Sequence, residues 1–524
     1  MLLIHNPILR GFNPDPSIIC VGDDYYIATS TFEWFPGVQI HHSRDLANWR
    51  LLARPLARRS QLDMRGVRAS GGIWAPCLSY DGRLFHLVYT NVKTDQQPFM
   101  DAHNYLVTAS DIKGEWSEPV YLHSMGFDPS MFHDIDDRKW LVGMESDFRP
   151  DKNRFAGIIM REYSPEEKRL VGPQYRIFEG TKLGFTEGPH IYRQGEYYYL
   201  IVAEGGTGYE HAVTVARSKT LTGPYEPDPA GPVLTSADEP QNPLQKAGHA
   251  DIIQTKQGEW FMVHLCARPI ARKGRCVLGR ETAIQKVIWT EDGWLHLQHG
   301  GNEPQQHVQV EALNECRWPQ AAVRDDFDSS VLGIDFQTLR VPLGEDSMSL
   351  DERKGYLRLK GRESLYSKFE QSLVARRQQA FSYTASACIE FQPYSYRQMA
   401  GLICLYDHEN FFYLRLTHQE GKGRVIGVLA GINGKLEFPA HEIDIGNTRR
   451  IYLSVTVDVD RLRFEYSQDD VTWYPAGGVY DASRLSDEAC REGGFTGAFV
   501  GMCCQDLTGN RLPADFDYFE YIEK

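Results

Sequence analysis

Three short phrases in the first two hundred residues set a carboxylate at the head of an apolar run: Asp15-Pro16-Ser17-Ile18, Asp128-Pro129-Ser130-Met131 and Glu187-Gly188-Pro189-His190. A carboxylate at the start of a half-buried strand, held by a neighbouring proline, is what general acid-base chemistry on a neutral acetal requires, because one group must give a proton while another takes one. Asp-Pro and Gly-Pro are also ordinary turn formers, and any one phrase alone reads as a turn. Three of them in equivalent positions of a repeat favour the chemical reading.

The elements that must position them follow the same repeat. After Asp15, Ala75, Asp128, Glu187 and His249 the chain runs through a short apolar segment, a polar turn with Gly or Asp, and a second apolar or aromatic segment, which is a hairpin signature. The spacings between these five positions are 60, 53, 59 and 62 residues. A period near sixty suits one four-stranded sheet with its loops. Ser43–Trp49, Ser110–Trp116 and Ser218–Tyr225 share a serine, an apolar residue and an aromatic at similar offsets, and read as links between outer strands. Five such sheets predict a five-bladed β-propeller whose inner strands bring the three carboxylates to one axis. Aligned on the prolines, Glu187 falls one residue before the two aspartates, so it projects differently.

At 524 residues the chain exceeds a single core, and two domains are expected. Residues 1–305 read as the propeller, with a polar seam at 298–306. Beyond this, residues 320–524 carry strands without the propeller period, such as Tyr356-Leu357-Arg358-Leu359 and Phe411-Phe412-Tyr413-Leu414, and read as a jelly-roll type β-sandwich. A net charge of −14 argues against nucleic acid or an anionic membrane as partner. No apolar stretch approaches a membrane span, and the first residues lack a signal peptide's pattern, so a cytoplasmic protein is expected. The ten cysteines have no metal-finger spacing and read as reduced thiols.

The phrases Asn13-Pro14-Asp15-Pro16-Ser17, Trp74-Ala75-Pro76, Phe127-Asp128-Pro129-Ser130, Thr186-Glu187-Gly188-Pro189 and Gly279-Arg280-Glu281-Thr282, in this order, resemble glycoside hydrolases of family 43. The resemblance is strongest to two-domain bacterial β-xylosidases. It extends to Phe495-Thr496-Gly497 and the ending Ala514-Asp515-Phe516-Asp517. It implies an inverting hydrolase with Asp15 as base, Glu187 as acid and Asp128 as a third carboxylate that raises the acid's pKa and orients it. It also implies that Phe32, Trp74 and Phe127 are aromatic walls, that Arg280 binds sugar hydroxyls or holds Asp128, and that Thr207 lines the pocket. Where related β-xylosidases tend to place a further aromatic wall, this chain has Met144-Glu145-Ser146-Asp147.

His249 resembles a histidine below the catalytic centre where some relatives hold calcium or another cation. A hydrogen-bonded structural histidine is the other reading, and hydrolysis itself needs no cofactor. The sandwich reads either as a carbohydrate-binding module or as a lid. The resemblance favours the lid, with Phe495 reaching the pocket. The implied substrates are short β-1,4-xylooligosaccharides, cut from the non-reducing end to release xylose. The alternatives are α-L-arabinofuranosidase activity and a non-catalytic sugar-binding propeller; a homo-oligomer is expected by family analogy alone.

Overall fold

The computed structural model describes residues 2–95, 98–270, 274–491 and 494–524. The first three hundred residues form five antiparallel sheets whose strands follow one another in chain order. The inner strands are Ser17–Val21, Gly72–Tyr80, Ser130–His133, Glu187–Gln194 and Gln245–Gln254, one per blade. Each pairs with the next segment through the short turn that the sequence marks. The serine-to-aromatic links fall between the third and fourth strands of blades 1, 2 and 4.

Alternating side chains of facing blades interlock in apolar clusters, and this holds the ring together. Ile40, Leu78 and Leu87 join blades 1 and 2; Val88, Met131 and Leu141 join blades 2 and 3; Val142, Ile158 and Val202 join blades 3 and 4. Ile201, Val215 and Met262 join blades 4 and 5, and Ile27, Val263 and Ile284 join blade 5 to blade 1. The ring is closed beside the last blade. Leu2–His5 pairs antiparallel with His307–Val310, and Leu9 exchanges backbone hydrogen bonds with Thr282 at 3.1 and 3.2 Å. The seam read from the sequence stays bound to the propeller: the Asn302 carbonyl accepts from Thr235 N at 2.8 Å, and Gln305 N donates to Gln285 Oε1 at 3.0 Å.

The second half packs two sheets face to face. One contains Ser382–Glu390, Arg450–Asp458 and Pro513–Glu523; the other contains Ser372–Arg377, Gln398–Leu405, Phe411–Gln419 and Phe499–Asp506. In the second sheet Val374, Leu402, Leu414 and Met502 enter the sandwich core. Their alternates Leu373, Ile403, Tyr413 and Cys503 face the propeller, where they meet Phe12, Phe32 and Trp34. A strand buried on both faces reads as a continuous apolar run, as 411–414 does. Trp34 and Phe499 stack with centroids 3.7 Å apart, and Arg377 Nε donates to the Phe12 carbonyl at 2.6 Å. The sandwich is therefore docked through a shared apolar core. Among the described residues no helix is long and apolar enough to cross a membrane.

Candidate active site

Each inner strand has, just before it or in its first half, a residue in the left-handed region: Asp15 (φ 55), Ala75 (φ 34), Asp128 (φ 54), Gly188 (φ 57) and His249 (φ 48). Four of these precede a proline, which has no N–H for the ladder, so pairing breaks at the same level around the ring. In the three blades whose inner strand includes this point, the register shifts across it. A non-glycine side chain held at positive φ costs energy, and such positions gather at functional sites. Asp15 and Asp128 occupy this position, whereas in blade 4 Gly188 does. Glu187 therefore corresponds to Trp74 and Phe127, the residues just before it, as the offset in the motifs predicts. Gly188 has two reasons to be glycine: its φ, and the His249 ring, whose atoms would lie 2.9–3.2 Å from an added Cβ.

These positions open on one cavity of about 320 Å³. Asp15, Asp128, Glu187, Phe32, Trp74, Phe127, Thr207, His249, Arg280 and Phe495 all line it. So do Asp95, Met100, Arg154, Phe155, Phe185 and Gly206, which the motifs did not single out. The size lies in the range of small-ligand sites.

The three carboxylates are buried but differ in their partners. Asp15 Oδ2 accepts from Ser30 Oγ at 2.6 Å, and Oδ1 accepts from Arg280 Nη1 at 3.1 Å. Burial alone would raise its pKa; Arg280, His249, Ser30 and His211 outweigh it and hold the carboxyl below its ordinary value. Burial pushes the His249 ring down to about 4, so near neutral pH the Asp15 anion rests on Arg280 and Ser30. Glu187 is pushed up to about 8, first by burial and then by the negative charge of Asp15, with Arg280 opposing. Asp128, which accepts from Gly188 N at 3.1 Å, is raised well above the ordinary value by burial, Glu187 and Asp15. Beside burial, the negative charge of Asp15 is what favours the protonated form of Glu187. Asp15 is thus favoured as the carboxylate while Glu187 is favoured in its protonated form, the pair that acid-base cleavage needs.

Arg280 also joins the domains. Its Nη2 donates to the Phe495 carbonyl at 3.0 Å, and its guanidinium carbon lies 5.3 Å from the Phe32 ring and 5.5 Å from the Phe495 ring. Phe495 N donates to Ser70 Oγ at 3.0 Å, so the sandwich loop is pinned at both its amide and its carbonyl. Gly279 lets the loop approach: an added Cβ would sit 2.1 Å from the Thr496 carbonyl oxygen, and its φ is +69. The Phe495 ring stacks on Phe32 at 6.3 Å and meets Trp74 edge-on at 6.0 Å. Trp74 is fixed by Nε1 donating to the Ser70 carbonyl at 3.0 Å.

At the position where relatives place a further aromatic wall, Met144 is buried within its blade and Glu145 is tied to Arg176 and Gln174. Aromatic surface comes instead from Phe155 and Phe185, with centroids 5.1 Å apart. Phe185 stands two residues before the acid, a proximity that could have flagged it. Phe155 begins an outer strand and carries no motif. His249, the candidate cation-site residue, is buried on the cavity lining. Its ring packs on Gly188, both Asp15 oxygens are hydrogen-bonded, and among the described residues no group of three or more His, Cys, Asp or Glu could hold a metal.

Comparison with known proteins agrees with this geometry. Residues 4–295 match the model for glycosyl hydrolases family 43, and residues 324–522 match that for the beta xylosidase C-terminal concanavalin A-like domain. The chain is 48% identical to a beta-xylosidase of Bacillus subtilis, over 99% of this chain and 100% of the relative. It is 50% identical to xylosidase/arabinosidase 43B of Humicola insolens, over 99% and 97%. The crystal structure of a xylan beta-1,4-xylosidase from Bacillus halodurans superimposes with a TM-score of 0.98 at 52% identity, covering 99% of this chain and all of the other.

Proposed function

Since the chain belongs to glycosyl hydrolase family 43, whose members invert, we infer that it is an exo-acting β-xylosidase that releases xylose from the non-reducing end of short β-1,4-xylooligosaccharides. The observation that carries this reading is the meeting of Asp15, paired with Arg280, and the buried Glu187 with the aromatic walls Phe32, Trp74 and Phe127 in one cavity. In the proposed mechanism the terminal xylosyl unit rests against Phe32, Trp74 and Phe127. Asp15 takes a proton from a water molecule as that water attacks the anomeric carbon, and Glu187 gives its proton to the departing glycosidic oxygen. One C–O bond forms, one breaks, and the new sugar hydroxyl carries the opposite anomeric configuration.

Asp128 serves as a positioning residue. It accepts the amide of Gly188, the neighbour of the acid, and so fixes the backbone from which Glu187 projects. Arg280 holds the base ionised, and its buried Nε has no protein partner among the described residues, which supports a role in binding a sugar hydroxyl. The Phe495 loop supports the lid reading and an end-on mode of attack. No step requires a metal or cofactor. The name of the Humicola insolens relative supports α-L-arabinofuranosidase as a second activity. All ten cysteines are free, which supports action in a reducing compartment, the cytoplasm.

Proton NMR of xylobiose cleavage tests the mechanism. Newly released α-xylose is expected; β-xylose as first product would overturn the assignment of Asp15 as base to water. No cleavage of xylobiose, with turnover of an α-L-arabinofuranoside, would make the second activity the main one.

A further inference from the structure

Beside the catalytic cavity, between the rims of blades 2 and 3, lies a groove of about 590 Å³ lined by Phe99, Met100, Gly126, Glu145 and Phe148 among others. It adjoins the catalytic cavity: Met100 lines both, and Gly126, which lines the groove, is followed in the chain by Phe127, a wall of the catalytic cavity. This segment is fixed by backbone hydrogen bonds from Ser146 N to the Met125 carbonyl at 2.8 Å and from Met144 N to the Phe127 carbonyl at 3.1 Å. Gly126 permits the fit, since an added Cβ would lie 1.9 Å from the Met144 carbonyl oxygen.

Two phenylalanines stand exposed at this groove, Phe99 at 62% and Phe148 at 56%, with ring centroids 5.1 Å apart. A paired apolar surface of this kind, rimmed by polar groups, marks a binding surface. The polar groups here are the exposed Asp101 and the carboxylate of Glu145, which Arg176 holds in place. Flat apolar rings beside acceptors suit a neutral pyranose, whose C–H face rests on an aromatic ring while its hydroxyls donate.

We propose that this groove is a further leaving-group subsite that holds the third xylosyl unit of a β-1,4-xylooligosaccharide while the first unit occupies the catalytic cavity. The proposal rests on the β-xylosidase reading. Phe495 lines the catalytic cavity from the sandwich, whereas Met100, Phe155 and Phe185 line it from the propeller, and the groove meets this propeller side at Met100.

The test compares kcat/KM on xylobiose and xylotriose for the wild-type chain, for the double variant Phe99→Ala/Phe148→Ala, and for Phe99→Tyr/Phe148→Tyr, with the molar mass of each measured by light scattering. Xylobiose is too short to reach the groove. The alanine pair should lower kcat/KM on xylotriose by roughly three- to tenfold while leaving xylobiose within about twofold, and the tyrosine pair should restore it. Equal effects on both substrates, or none on xylotriose, would remove the subsite and leave the β-xylosidase reading standing. A wild-type chain inert on xylobiose would fail that reading and the subsite with it. A change of molar mass in the alanine pair without a selective loss on xylotriose would assign the phenylalanines to contact between copies of the chain and overturn the proposal.

Discussion

At the catalytic cavity Phe32 belongs to a buried cluster that spans both domains, with Trp74 and Phe495 packed against it, whereas Phe155 and Phe185 line the cavity from the propeller alone, Phe155 half-buried and Phe185 54% exposed. The first wall is fixed by hydrogen bonds from Trp74, Phe495 and Arg280; the second has ring contacts at its open edge. The contrast teaches how an exo-acting enzyme divides its labour. The rigid wall reads the shape of one terminal sugar, where misplacement is costly, and the open wall accepts leaving groups of different length.

The comparison can be broken or sharpened by substitution. The largest effect belongs at the bottom of the cavity, where Asp15→Ala and Glu187→Ala should each lower kcat on xylobiose by roughly a thousandfold or more with the circular dichroism spectrum unchanged. Glu187→Ala alone should recover on an aryl β-xyloside whose phenolate leaves without a proton; equal loss on both substrates would reassign the acid. Next comes the rigid wall. Gly279→Val would drive a side chain into the Thr496 carbonyl and lift the Phe495 loop, at a cost of roughly a hundredfold in kcat/KM. An effect under twofold would mean that the loop is dispensable.

The pH profile probes both carboxyls at once. Glu187 must keep its proton and is held up to about 8, while Asp15 must lose one and is held low, so kcat/KM should stay level through neutrality and fall as pH rises through about 8. A fall centred near 5 would contradict the raised acid. The smallest effects belong to the open wall. Phe155→Ala and Phe185→Ala should raise KM for xylobiose by roughly two- to fivefold with kcat nearly unchanged, and a large fall in kcat would erase the distinction between the walls.

The five inner strands were legible because a turn-and-hairpin pattern recurs at each, with a proline in four of them, and the residue at the equivalent point of each adopts the left-handed backbone. The offset of Glu187 was readable for the same reason. Phe155, Phe185, Asp95 and Arg154 were not, because they arrive from loops and outer strands that share no motif between blades. The closing pair Leu2–His5 and His307–Val310 had no local signal either: its partners meet only once the ring is built.

The two-sided burial of the sheet formed by Ser372–Arg377, Gln398–Leu405, Phe411–Gln419 and Phe499–Asp506 also bears on how this protein could have evolved. A domain with one dry face and one wet face can be cut from a gene and fused elsewhere. Here Leu373, Ile403, Tyr413 and Phe499 would be laid bare by such a cut, and the same cut would take the Phe495 carbonyl from the arginine that holds the catalytic base. Separation would thus expose an apolar face on each half and remove one partner of Arg280, which favours their being inherited together.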